Sequence, residues 1–149
     1  MTLHGLGPAD GHPGVQPAPK NGTGPRLDAA KAAGRLARLP HLLVAWREQD
    51  GFPVVVAARV EGAGAEGIRL ASGAALPGGG RRAGLLGHYY EAKLVALQAR
   101  QHTGWLEDGL YAPHTASAFR APRKKTLLLL ANGLLAKQGL RKARREGRA

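Results

Sequence analysis

The chain has 149 residues, of which 44% are hydrophobic, and carries 22 Lys or Arg against 10 Asp or Glu, a formal net charge of +12 without a single cysteine. That length and apolar content suit one domain with one core. The lack of cysteine excludes disulfides, thiolate metal sites and thiol nucleophiles together, which fits the expected cytoplasmic location.

The charge is uneven. From Arg120 onward ten Lys or Arg face Glu146 alone, so most of the net charge lies in the last thirty residues. Residues 1–25 combine Gly and Pro with no aromatic and few apolar side chains. Their burial is too small to offset the entropy of ordering them, and they are expected to form a disordered leader. A folded domain is expected over 26–119, followed by a basic C-terminal helix and tail over 120–149.

After the leader, Leu27, Ala30, Gly34 and Ala37 recur at helical spacing with Asp28 near the N-cap, which predicts a short helix ending by Leu39-Pro40. His41 to Trp46 reads as a strand, Gln49-Asp50-Gly51 as a hairpin turn, and Phe52 to Val60 as the partner strand, with Pro53 at its tolerated start. Glu61 to Gly67 contains a formal G-x-G-x-x-G. A dinucleotide site needs that motif between a strand and a helix, whereas here Ile68-Arg69-Leu70 reads as another strand, so the stretch is expected to be a hairpin loop.

Gly78-Gly79-Gly80 lacks the Gly-Lys-Ser/Thr ending of a P-loop. Arg82 to Tyr90 alternates Arg82, Gly84, Leu86 and His88 with Ala83, Leu85, Gly87 and Tyr89, a strand partly apolar on both faces. Glu91 to Ala96 is expected to make a helical turn, Leu97 to Leu106 a long strand, and Leu110 to Ala112 a short one closed by Pro113. Thr126 to Arg145 reads as a helix, apolar at its start and basic at its end, where cations suit the helix dipole. Its apolar run is too short to span a bilayer, and no membrane partner is expected.

The chemistry-bearing residues are few. The six histidines have no metal-ligand spacing and no adjacent acids, so no metal site is expected. His88 and His102 are candidates to meet across neighbouring strands, as acid/base groups or as axial haem ligands. Ser72 and Ser117 have no evident base, and no catalytic residue is identifiable. Arg81 and Arg82, after three glycines, form a candidate phosphate clamp, since backbone and guanidinium forks can both approach an anion there.

The order of strands and turns over roughly residues 40 to 112, with Gly-Phe-Pro-Val-Val-Val, Arg82-Ala83-Gly84-Leu85-Leu86-Gly87-His88 and Gln101-His102-Thr103-Gly104-Trp105-Leu106-Glu107, resembles the FMN-binding split-barrel superfamily, the pyridoxamine 5′-phosphate oxidase-like proteins. The resemblance implies a mainly β fold, a six-stranded antiparallel split β-barrel with a short N-terminal helix and a C-terminal helix. It further implies FMN, or F420 or haem in some branches, bound at a homodimer interface and used for redox chemistry on a small molecule. Arg59, at the end of the strand expected to lie along the flavin ring, joins Arg81, Arg82, Arg100 and His102 as the implied cofactor-binding residues. Leu85 and Tyr89 are the apolar residues expected to be left for a second copy to cover. The alternatives are a cofactor-free barrel and a nucleic-acid-associated protein using the basic tail.

Overall fold

The structure, a computed structural model, describes residues 16–92, 96–121, 126, 129, 130 and 132–138. Its elements are α1 (Ala29–Leu36), β1 (His41–Arg47), β2 (Pro53–Ala57), β3 (Arg59–Gly64), β4 (Gly67–Ala71), β5 (Gly80–Tyr89), β6 (Gln98–Glu107) and β7 (Leu110–Arg120). Helical backbone recurs at 126, 129–130 and 132–138, within the expected C-terminal helix. The rest of that helix, most of the leader and the centre of the expected turn after Tyr90 lie outside the described residues.

All the strands join one antiparallel sheet in the order β2-β1-β5-β6-β7-β4-β3. The fold is mainly β, as expected, but the sheet has seven strands and not six. The difference arises at Ala58, which divides the segment expected to be one strand. The Ala58 N–H still donates to the Leu42 carbonyl on the β1 side at 2.9 Å, whereas the next residue, Arg59, pairs with Ala71 on β4. The two edges of the sheet are therefore consecutive in the chain, and the sheet curls until they meet at Ala58. Opposite, β7 pairs with β4 only through Tyr111 and Leu110, and α1 packs across β3, β4 and β7.

Strand alternation fixes what faces inward. Leu42, Val44 and Trp46 of β1, Ala83 and Leu85 of β5, Ile68 and Leu70 of β4, and Leu106 and Tyr111 form one core with Ala29, Ala32, Ala33 and Leu36 of α1. Asp28 caps the helix by accepting from the Lys31 N–H at 2.9 Å, and this bond lowers its carboxyl pKa. The helix sits tightly because Gly87 lies beneath it: a Cβ there would stand 2.8 Å from Leu39 Cδ1 and 2.9 Å from Leu36 Cδ2.

Three further sequence expectations change. The glycine-rich stretch from Glu61 is hairpin, as expected, but its first four residues belong to β3, which leaves Ala65-Glu66 as the turn. Strand β7 does not stop at Pro113. A register shift between Thr103 and Gly104 sets Pro113 opposite Gly104 and Thr115 opposite Thr103, so the proline, which has no N–H to pair, sits at a bulge and the strand continues to Arg120. Residues 16–25, assigned to the leader, run along the barrel. Strand β5 extends beyond its last β1 partner, and Gln16 meets it there: its N–H donates to Gly80 O and its side-chain oxygen accepts from the Arg82 N–H, both at 3.0 Å.

Candidate functional site

The proposed phosphate clamp is not assembled as a pair. Adjacent strand residues point to opposite faces, and Arg81 turns into the core in register with Leu106, with 1% of its surface exposed. Its Nη1 lies 3.2 Å from Glu48 Oε2 and its Nη2 donates to Gly78 O at 3.0 Å, while the other Glu48 oxygen accepts from the Trp46 indole. The triglycine backbone is engaged too, since the Gly79 N–H donates to the Asp108 carboxylate at 3.1 Å. Arg81 thus ties the β1–β2 turn to the loop before β5. Arg82 points outward and is exposed.

The other expected residues are dispersed. Arg59 is exposed on β3 and ion-paired with Glu61 at 3.2 Å. His102 and Arg100 lie on the inward face of β6, opposite Leu85 and Gly87. Arg100 is six strand residues from the partner of Arg81, about 20 Å along the sheet. His102 is buried, and desolvation holds its imidazole below the ordinary pKa. Its Nδ1 has no hydrogen-bond partner among the described residues. His88 does not meet His102, because the two occupy opposite faces. Its ring stacks on His41, directly across β1–β5, with centroids 5.1 Å apart.

On the outer face a set of small residues gathers beneath charged ones. Ala45, Gly84, Thr103 and Thr115 occupy one register row across β1, β5, β6 and β7. They floor an open basin of about 520 Å³ rimmed by Arg26, Arg82 and His114. The threonine hydroxyls hydrogen-bond each other at 2.6 Å. His114 Nε2 lies 3.4 Å from Thr23 O, and Pro19 borders the same basin, so the segment before α1 forms one wall. A basin of this volume falls within the range of small-molecule sites.

Of the expected site residues, Arg82 alone lines this basin. Arg26, Thr103, His114 and Thr115 were missed. The first lies at the edge of the expected leader, and the last two lie beyond the proline taken as the end of a strand. Strand alternation in β6 could have separated outward Thr103 from inward His102, but only the register with β7 brings Thr115 beside it. No cluster of three metal-ligating side chains occurs among the described residues. Comparison with protein-family models, with curated proteins and with solved structures finds no match.

Proposed function

We propose that this chain is a flavin-binding split barrel, with FMN as the cofactor, that performs redox chemistry on a small molecule. The outer basin carries this reading. Its floor has almost no side-chain relief, and a Cβ built on Gly84 would have only His102 O, at 3.9 Å, within 4 Å, so a flat ring can lie close to the backbone. Arg82 and Arg26 at the rim provide forked donors suited to a phosphate. The Thr103–Thr115 pair adds hydroxyl groups for polar ring atoms. The residues thus fit an anionic, planar group.

Bound there, a flavin supplies the hydride or electron transfer. The chain's own part is to hold the phosphate, keep the ring flat against β5 and limit water around it. None of these tasks needs a side-chain acid or base. A homodimer belongs to the same proposal. Leu43 and Leu86, paired across β1–β5 and half-buried, share the outer face with Phe119, which is 53% exposed. A second copy apposed on this face would cover them and roof the basin.

The deciding experiment is the visible absorption of the purified protein, followed by titration of colourless protein with FMN, F420 and haem. A flavin spectrum, or saturable FMN binding weakened by Arg82→Ala, is the expected result. Preference for F420 or haem would change the cofactor and keep the barrel reading. Failure to bind any of the three would leave a cofactor-free barrel.

A further inference from the structure

A small cavity of about 150 Å³ lies between Leu39 and the ends of β6 and β7. Arg100, Arg120 and Gln98 supply its polar lining, and no Asp or Glu borders it. Strand register brings the arginines together. Gln98 pairs with Arg120 and Arg100 with Ala118, so the two arginines stand diagonally on one face of the β6–β7 pair. Such neighbours are about 7–8 Å apart, within reach of long side chains. Neither arginine, nor Arg35 in the last turn of α1, has an ion-pair partner among the described residues. Glu91, two residues beyond the Tyr89 that pairs with Gln98, accepts instead from the Tyr89 hydroxyl at 3.2 Å. His102 continues the face of Arg100, is 4% exposed and has an unpartnered Nδ1. Burial above all, and the charges of Arg100 and Arg35 with it, disfavour a proton on its imidazole. The positive charge at this end of the barrel is therefore uncompensated.

We infer that this cavity binds the phosphate group of a small ligand, held between Arg100 and Arg120. Its volume is below the range of sites that enclose a whole small molecule, and it suits a single tetrahedral oxyanion. Guanidinium groups present paired N–H donors matched to phosphate oxygens, and the Gln98 amide adds a neutral donor. Two arginines on one ligand, with Arg35 nearby, balance a dianion better than a singly charged carboxylate. The site is separate from the basin proposed for flavin, since the basin lies on the outward face of the sheet and Arg100 on the inward one. It does not rest on that reading.

The test is titration of the full chain with inorganic phosphate, at an ionic strength held constant with chloride, followed by amide chemical shifts. Residues 98–102 and 118–120 should shift saturably. Arg100→Gln and, separately, Arg120→Gln should each weaken that binding about tenfold or more, the loss of a charge-assisted contact. Arg120 is exposed, so its variant keeps the fold even if the half-buried Arg100 contributes to it. Arg82→Ala, in the outer basin, should leave the shifts at 98–102 and 118–120 intact. Glycerol 3-phosphate binding as well as phosphate supports an ester as the ligand, and its exclusion supports the free ion. Three results would overturn the inference: no saturable shift at these residues, binding that neither arginine variant weakens, or binding abolished by Arg82→Ala, which would place the phosphate in the basin.

Discussion

Arg81 and Arg82 are neighbours with opposite fates, and the alternation of a strand is the cause. Arg81 is enclosed with Glu48, Gly78 and Trp46 around it, so Arg81→Ala removes buried packing and strands a carboxylate. The expected cost is about 2–3 kcal/mol, less than for a wholly enclosed pair because the Glu48 side chain is 39% exposed. A urea melt measures it. Arg82→Ala should leave that melt unchanged and weaken FMN by about tenfold or more, the loss of a charge-assisted contact. Equal destabilisation by the two variants would refute the distinction.

His102 provides a pH prediction at the same scale. Its folded-state pKa is depressed, so as pH falls the unfolded chain takes up this proton first, from about pH 6.5. The stability linked to His102 is complete above that value and declines as pH drops toward the folded pKa. Urea midpoints should therefore fall between about pH 7.5 and 5.5, more steeply in the native chain than in His102→Gln. Identical slopes would show that His102 is not a source of the dependence.

Among the elements, α1 and the β6–β7 bulge decide the shape of the barrel. The helix packs across β3, β4 and β7, where β4 and β7 barely pair, and its Leu36, 1% exposed, lies above Gly87 of β5. Leu36→Ala should cost about 2–5 kcal/mol in chemical denaturation, the range for emptying a packed leucine site. At the bulge, a Cβ on Gly104 would collide with the Ala112 carbonyl oxygen. Gly104→Ala should therefore disturb the β6–β7 register and with it the Thr103–Thr115 pair, which amide chemical shifts along both strands would reveal. Native shifts in that variant would mean that the bulge does not require glycine.

For the molecule as a whole, the proposed dimer would be built on the outward rows of β1, β5, β6 and β7. Leu85, expected to remain uncovered, is fully buried in the core, and Tyr89 is half-buried with its hydroxyl on Glu91; Leu86 is the half-buried outward residue instead. Equilibrium sedimentation should give a dimer for the native chain and a monomer for Leu86→Arg, since the change places a cation in an apolar contact. A native monomer, or a dimer indifferent to Leu86→Arg, would remove the outer face as the interface.

Local patterns sufficed for most elements of this chain. Capping by Asp28, the Asp50-Gly51 turn and the alternation in β5 and β6 depend on neighbours in sequence, and there the expected and observed elements agree closely. Alternation also separated Arg82 from Ala83 and Leu85, because it is local, but both faces of that strand are partly apolar and which one points outward was decided only by the sheet. Register is not local. The passage of β2 into β3 at Ala58, the continuation of β7 through Pro113 and the use of Arg81 as an interior ion-pair partner each depend on what another strand, distant in sequence, places opposite. The basin is of that kind: its floor is one row drawn from four strands, and no window of sequence contains it.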